Sequence, residues 1–320
     1  MPATRLTTPE QLGEWCRTGT ELIHDAIATG DAEELREVYE RVVETRIVMV
    51  ELWPNWMATS FAWLRERHGE LAVAPAIVPE DWLAFGLRTD TTLAETELAK
   101  AIFARSWSER ERLVELVAAG DEAGAIAYWA ELENAMLKLH DYRHDMLTAV
   151  WAHIYETYGA EGLNDMHLFA GQNPRWQDWI RQAVAPDPVD RVREFCFLLA
   201  VGNFGAVSVT ETDDYFLLHH KLCGSCARQE LGGRYEEPWG FPRVTEDDMP
   251  QLNLGHTRMT VYRTHIPPLH WVVPIETVGH PWPVIDCGGP GRCWYRIYKD
   301  QSQTPAEFYE RVGMVKPAAA

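Results

Sequence analysis

The sequence predicts an α+β protein, in which an N-terminal helical bundle over residues 1–205 precedes a smaller β/loop metal-binding unit over residues 206–320. Apolar residues recur at helical spacing through the first two-thirds of the chain, and from Ala206 onward they alternate as in strands. Four cysteines crowd into two short segments of the last third, 223–226 and 287–293. No flexible linker is visible near the boundary, so the two units could share one core.

The first helices are marked by their capping residues. Thr8-Pro9-Glu10-Gln11 forms a capping box with proline at the first helical position, and we expect the helix it opens to end near Gly30. Asp31 starts the next helix, whose apolar side chains recur at three- and four-residue spacing. Proline lacks a backbone N–H, so Pro54 should kink or end that helix, with a further helical piece up to His68.

The middle of the chain predicts further helices. One is expected over 92–107, and the longest over 121–158, where Gly159 ends the apolar periodicity. Shorter helices are expected at 160–170, 174–184 and 188–200. Together they would complete the N-terminal bundle.

The last third predicts strands. Residues 206–210 alternate in character, a polar turn follows, and residues 215–218 resume the apolar pattern, which is typical of a β-hairpin. This hairpin leads directly to Cys223. Further short strands are expected at 259–265, 270–276 and 292–299.

Composition excludes several classes of partner. The net charge is −19 and no run of Lys or Arg is visible, which argues against nucleic acid and against anionic membranes. The chain shows no signal-peptide pattern and no apolar run of the ~18 residues that a membrane span needs. We therefore expect a cytoplasmic protein with a small-molecule substrate; the acidic helices leave room for a homodimer interface. In a reducing compartment, clustered thiols are expected to bind metal or react rather than form disulfides.

The cysteine spacing predicts a metal site. Cys223 and Cys226 form a CxxC pair, which can share one ion, and Cys287, Cys293 and His280 supply three more candidate ligands downstream. Four cysteines would suit structural zinc or, less favoured, an iron–sulfur cluster. A mixed set of Cys223, His280 and Cys287 would leave one coordination position open, as zinc catalysis requires.

Candidate acid–base groups accompany these ligands. Asp286 precedes Cys287, and His220 precedes the CxxC pair by two residues. His140 and His144 share one face of the long helix, because residues four apart are neighbours on a helix surface. The favoured interpretation of this histidine face is solvated polar surface, and the alternative is a pocket wall that moves protons.

Three more side chains are candidates for substrate binding. Arg228 and Arg292 lie close in sequence to the cysteines and could hold a carboxylate, although pairing with surface glutamates is an equal alternative. Trp151 continues the stripe of His140 and His144 and could form a pocket wall.

The leading functional prediction is a metal-dependent enzyme, with zinc as the expected cofactor, acting on a small polar molecule. Hydrolysis or deamination is favoured, and lyase chemistry comes next. One alternative is a structural zinc site in a binding or interaction protein that has no catalytic activity. A weaker alternative is a thiol redox protein in which Cys223 and Cys226 form a reversible disulfide.

Overall fold

The computed structural model describes residues 5–73, 107–184, 187–245, 247–289 and 292–318. The helix predicted over 92–107 lies outside these residues, apart from its last position. In the described part, the predicted architecture is confirmed: long helices form the N-terminal region and a small antiparallel sheet lies in the C-terminal region with the cysteines.

Helices build most of the described chain. The larger ones are α1 (Pro9–Trp15), α2 (Gly19–Thr29), α3 (Ala32–His68), α4 (107–118), α5 (Glu122–Gly171), α6 (Pro174–Ala183) and α7 (Pro188–Phe197). The short ones are α8 (Cys226–Leu231), α9 (Pro250–Asn253), α10 (Val273–Val278) and α11 (Glu307–Glu310). Single turns of tighter or wider helix occur at Glu70–Ala72, Leu198–Gly202, Val261–His265, Ile266–Val272 and Gln301–Gln303.

The strands form two antiparallel sheets. They are β1 (Ala206–Glu211), β2 (Tyr215–Leu222), β3 (Arg243–Thr245), β4 (Arg258–Thr260), β5 (Val284–Cys287) and β6 (Cys293–Tyr298). The larger sheet has the order β1-β2-β6-β5, and β3 pairs with β4. β2 and β6 place His220 opposite Cys293, and β5 and β6 place Cys287 opposite the same cysteine.

Two predicted helices differ from their expected limits. The helix opened by the capping box at Thr8 ends at Trp15, because Thr18 and Glu21 form a second capping box that starts α2. Gly159, with φ of 72°, interrupts α5 as predicted, and helical residues continue on both sides of it.

Pro54 lies inside α3 without ending it. Proline cannot donate to the carbonyl four residues earlier, which belongs to Val50. Arg143 of α5 supplies the missing donor, since its Nη1 lies 3.1 Å from the Val50 oxygen and 2.9 Å from Oε1 of Glu51. A side chain from the neighbouring helix therefore satisfies the backbone group that the proline leaves unpaired.

The strand predictions are right for the hairpin and for β6 but wrong elsewhere. Residues 270–276 are helical, and in the segment 259–265 only the first two residues belong to β4. β5 has no counterpart among the predictions. Short apolar runs with prolines fit a strand and a buried helical turn equally well, and burial of Trp271 and Ile275 against the sheet selects the helix.

The helical and sheet regions pack on one another. One apolar cluster contains Trp53 and Trp151 from the long helices together with Cys223, Phe241 and Leu269 from the C-terminal region. None of the helices in the described ranges combines the length and apolar character needed to cross a bilayer.

Candidate functional site

A cavity of about 840 Å³ opens between α3, the start of α6 and the cysteine-bearing loop after β2. Much of its wall is apolar and aromatic, including Trp53, Trp56, Trp176 and Trp179. The C-terminal side and the turn before β1 contribute polar and sulfur groups: Asn203, Cys223, Ser225, Cys226, Arg263, His265, His270, Cys287 and Tyr295. Further polar residues line the cavity from the helical region: Asn55, Thr59, Gln172, Asn173 and Arg175. Such a cavity, with a few convergent polar groups, is typical of a small-molecule site.

The loop over residues 223–226, which we call the cysteine loop, packs closely against the turn that precedes β1. A Cβ added to Gly224 would lie 1.3 Å from the carbonyl oxygen of Asn203, so only glycine permits the two backbone segments to cross there. Gly205 is crowded in the same way, since its added Cβ would lie 2.3 Å from Nε2 of His220. These two glycines fix Cys223 beside Asn203 and near His220.

Cys223 is buried and surrounded by polar groups. The Asn203 amide donates to its sulfur over 3.8 Å, and the Ser225 hydroxyl lies 3.3 Å from the same atom. The Cys226 thiol donates a hydrogen bond that lowers the pKa of Cys223 well below its usual range; burial opposes this effect, while His220 and Ser225 reinforce it. Cys223 is thereby favoured as the thiolate of the pair.

Asn203 is itself held from behind by the long helix. Its Oδ1 lies 3.1 Å from Nε2 of His140, and its amide nitrogen lies 3.3 Å from the Ser225 hydroxyl. His140 is fully buried and its other ring nitrogen lies 3.1 Å from Asp141. His140 therefore positions Asn203, and it does not line the cavity.

His144 and Trp151 lie behind the aromatic wall. His144 is buried and its ring centre is 4.0 Å from that of Tyr262, and burial lowers its pKa well below the usual histidine value. Trp151 stacks on Trp56 and Tyr262, both of which line the cavity. The favoured interpretation of the histidine face as solvated surface is wrong, because both histidines are buried, His140 against Asn203 and His144 against Tyr262.

His220 belongs to the buried face of the sheet. Its Nδ1 lies 3.2 Å from the hydroxyl of Tyr295 on the adjacent strand β6. Burial lowers the pKa of His220, and the negative charge of Cys223 partly offsets that shift. His220 is thus an electrostatic neighbour of Cys223, and its expected role as a group that moves protons stays a prediction.

Three sulfur atoms form a second cluster beside Cys223. The Sγ atoms of Cys226, Cys287 and Cys293 all lie within 4.8 Å of one another, and this group could hold a metal ion. Cys287 and Cys293 are joined in a disulfide, against the expectation that the thiols would be reduced. Directly opposed strand residues approach closely, which places these two sulfurs within bonding range.

Cys226 is the neutral member of the CxxC pair. Its hydrogen bond to Cys223 and its burial raise its pKa well above the usual thiol value, whereas the nearby Arg263 guanidinium acts in the opposite direction. Arg263 is buried and forms an ion pair with Glu230.

His280 and Asp286 lie apart from the sulfur cluster. Nδ1 of His280 lies 3.3 Å from the carbonyl oxygen of the next residue, and His280 is not in the group of close ligands within the described chain. Neighbouring residues of a strand point to opposite faces, so Asp286 points away from Cys287. Asp286 instead contacts His256 at 3.0 Å, and this hydrogen bond lowers its pKa against the effect of burial.

The two predicted arginines bind elsewhere. Arg228 forms an ion pair with Asp141 on α5, with Nη2 2.6 Å from Oδ2, and it does not line the aromatic cavity. Arg292 lines a separate polar cavity of about 350 Å³, which also contains Arg243, Arg258 and Arg263 together with Glu230 and Glu236.

Several site residues were not predicted from the sequence. Asn203 and Ser225 meet only because the turn before β1 crosses the cysteine loop, and Tyr262 and Tyr295 reach the cavity from two further segments. The glycines on either side of Asn203, at positions 202 and 205, mark a tight backbone approach, and they are the signal that could have drawn attention to this turn.

Comparisons of the chain with protein families, with curated proteins and with solved structures found no match. The site is therefore interpreted from its own geometry.

Proposed function

We propose that this protein is an enzyme that acts on a small molecule in the aromatic cavity, with the Cys223 thiolate as the nucleophile. The observation that carries the proposal is the position of Cys223: it lines the cavity, and Asn203, Ser225 and Cys226 all contact its sulfur. Nucleophilic catalysis by cysteine needs a stabilised thiolate with access to a substrate. The polar contacts would stabilise the thiolate, and the cavity would give the substrate access to it.

The cavity wall indicates the kind of substrate. Tryptophans and other apolar groups would bind an apolar or planar body, and the polar groups near Cys223 would hold the reacting end. The amide of Asn203 is a donor that could stabilise negative charge developing on a substrate oxygen or nitrogen beside the sulfur. Hydrolysis of a small amide, thioester or cyclic C–N bond through a covalent thiol intermediate fits this arrangement.

A substrate screen with active-site variants tests the proposal. Wild-type protein, Cys223→Ser and Cys223→Ala are assayed against small amides, thioesters and cyclic imines, with covalent adducts followed by intact-protein mass spectrometry. We expect turnover and adduct formation in the wild type and their loss in both variants. The matched control is Cys196→Ser, which removes a buried thiol far in sequence from the CxxC pair. Turnover that survives in Cys223→Ala, with no adduct on Cys223, would contradict the proposal.

A second candidate function is a zinc-dependent enzyme. It is favoured by one observation, the three sulfur atoms of Cys226, Cys287 and Cys293 within 4.8 Å of one another. After reduction of the disulfide, these residues would hold the metal, and thiolates are ligands that zinc accepts readily. With three protein ligands the zinc would supply an activated water for hydrolysis or deamination, or polarise a substrate for lyase chemistry. If Cys223 completes four ligands, the metal would be structural.

Elemental analysis separates these possibilities. Protein purified under reducing conditions without added metal is compared with Cys223→Ser, Cys226→Ser, Cys287→Ser and Cys293→Ser. About one zinc per chain, lost in the last three variants and retained in the first, supports an open site. Loss in all four, with lower stability, supports structural zinc. Reduced protein that carries no metal contradicts this second function and leaves the cysteine nucleophile unaffected.

A further inference from the structure

We infer that the four clustered cysteines form a thiol–disulfide exchange unit, in which one disulfide moves between Cys287–Cys293 and Cys223–Cys226. This goes beyond the proposed catalysis and does not depend on it. The observation is the coexistence of a free CxxC pair and a formed disulfide in one continuous group of sulfur atoms.

Cys226 is the connecting residue. Its sulfur contacts Cys223 on one side and lies within 4.8 Å of both disulfide sulfurs on the other. Exchange proceeds by attack of one sulfur on a disulfide sulfur, so each attacking atom must reach its target by rotation of a side chain. Cys226 starts helix α8, and Cys287 and Cys293 lie at the ends of β5 and β6. The attack therefore requires movement of the Cys226 sulfur toward Cys287 or Cys293.

The exchange balances without an external reagent. Cys226, after losing its proton, attacks one sulfur of the Cys287–Cys293 disulfide, which forms a mixed disulfide and releases the other sulfur as a thiolate. Cys223 then attacks the sulfur of Cys226, which forms the Cys223–Cys226 disulfide and releases the second thiolate. Cys223 attacks as the thiolate it already is, so one proton leaves, from Cys226, and one is taken up by Cys287 or Cys293, the other of which keeps the negative charge. One disulfide is broken and one is formed, so no net oxidation occurs.

The cavity gives small thiols access to the unit. Cys223, Cys226 and Cys287 line the aromatic cavity, whereas Cys293 does not. A low-molecular-weight dithiol such as dithiothreitol would therefore meet Cys287 or, after exchange, the CxxC disulfide. When the disulfide is on the CxxC pair, Cys223 is no longer a thiolate, and any activity that needs it stops.

Trapping of the mixed disulfide tests the exchange. The full chain and its Cys223→Ser variant are held without reductant under anaerobic conditions, quenched in acid, alkylated and mapped by non-reducing peptide mass spectrometry. In the wild type we expect two populations of molecules, one with the disulfide on Cys223–Cys226 and the other with the disulfide on Cys287–Cys293. In Cys223→Ser the second step is blocked, and a mixed disulfide of Cys226 with Cys287 or Cys293 should accumulate.

Two further variants complete the test. Cys226→Ala, which removes the connecting sulfur, should leave the disulfide on Cys287–Cys293 only. If Cys223→Ser does not fold, Cys293→Ser oxidised with a small disulfide reagent should yield a disulfide of Cys226 with Cys287, which Cys223 then converts to Cys223–Cys226. The matched control is the contacting pair Cys16 and Cys196, which lies outside the sulfur cluster and should remain unpaired with it. A disulfide confined to Cys287–Cys293 in every protein, or a fully reduced cluster occupied by metal, would overturn the inference.

Discussion

Two pairs of thiols contact one another among the residues that the structure describes, and one of these pairs, Cys223 and Cys226, lines the aromatic cavity. Cys16 and Cys196 bring α1 against α7, and their mutual hydrogen bond lowers the pKa of Cys16 and raises that of Cys196. Cys223 and Cys226 show the same opposite shifts. The pKa difference within each pair therefore follows from contact between two sulfurs, and it is not in itself evidence of function.

Surroundings distinguish the two pairs. Cys223 has an amide donor from Asn203, a hydroxyl from Ser225 and a cavity beside it, while Cys226 lies next to a disulfide. Cys196 is fully buried among apolar residues and neither it nor Cys16 lines the aromatic cavity. The comparison teaches that a candidate reactive thiol is better recognised by converging polar groups and space for a ligand than by its pKa alone.

The largest change in stability is expected at Gly224, in the loop of the Cys223–Cys226 pair, and Gly13, near the Cys16–Cys196 pair, is its comparison. Gly224→Ala would push a methyl group into the Asn203 carbonyl, and we expect a loss of more than about 4 kcal/mol of unfolding free energy, or failure to fold. Gly13→Ala, in the helix before Cys16, meets no atom within 4 Å and should stabilise α1 by about 0.5–1 kcal/mol. Urea unfolding measures both. Equal stability of the two variants would show that the cysteine loop does not cross Asn203 as described.

Acid should destabilise the cavity at a higher pH than the contacts that join Glu211 to Leu6 and Thr7. Burial lowers the pKa of His270 to about 4. Burial and the positive charge of the neighbouring His270 lower the pKa of His265 to about 3. Unfolded histidines protonate near pH 6.5, so the unfolded state binds more protons and stability falls as the pH drops from about 6.5 toward 4, by about 3 kcal/mol for His270. His270→Gln should flatten this part of the stability curve, measured by urea unfolding at successive pH values.

The contacts of Glu211 with the N-terminal segment should be lost at a lower pH than the packing of His270. Burial of Glu211 opposes its ionisation, but the Leu6 amide, Lys299 and the Thr7 hydroxyl outweigh that effect and lower its pKa to about 2. Its stabilisation, about 3 kcal/mol, is present above the unfolded pKa near 4.3 and is lost as the pH falls toward 2. Hydrogen exchange should show protection near residues 6–16 persisting at pH 4.5. Loss of that protection already at pH 6 would contradict this assignment.

Removal of one thiol should raise the pKa of its partner in both pairs. Cys226→Ala removes the hydrogen bond that contributes most to lowering the pKa of Cys223, so this pKa should rise. Cys196→Ala should likewise raise the pKa of Cys16. Alkylation of each cysteine as a function of pH, quantified by peptide mass spectrometry, reports the change, because only the thiolate reacts. Cys226→Ser, which keeps a donor, is the matched control and should retain much of the effect.

The smallest change in the reactivity of Cys223 is expected from Ser225→Ala. Its hydroxyl lies 3.3 Å from Cys223 and contributes less to the lowered pKa than Cys226 or His220 does. Alkylation of Cys223 at neutral pH should slow only slightly, with no change at Cys16. A larger effect than that of Cys226→Ala would mean that the hydroxyl, and not the neighbouring thiol, controls the reactivity of Cys223.

Local patterns predicted the fold well and the site only in part. Capping residues and apolar spacing located the long helices, and alternation located the β1–β2 hairpin that delivers Cys223. The cysteine-rich group was correctly placed in the C-terminal region, but its disulfide was not expected. Thiols stay reduced in a reducing compartment, and the sequence does not contain the register that sets Cys287 opposite Cys293. Cysteine counts alone do not show which sulfurs meet.

The remaining errors have the same physical origin. Asp286 is adjacent to Cys287 in sequence, yet the strand pleat separates the two side chains onto opposite faces. His140 and His144 are polar residues on a helix face predicted to be solvated, and they are buried because the turn before β1 covers His140 and Tyr262 covers His144. Asn203 reaches Cys223 only through a backbone crossing. Contacts between distant segments, which a one-dimensional pattern does not contain, determine all three.

The continuity of α3 through Pro54 is a property of the folded molecule and not of the α3 segment alone. The carbonyl of Val50 receives its hydrogen bond from Arg143, a residue of another helix. A synthetic peptide covering residues 32–68 would lack that donor, and its two halves would be free to bend apart at the proline. Any fragment of this protein intended to preserve the wall that carries Trp53 and Trp56 must therefore include α5 as well.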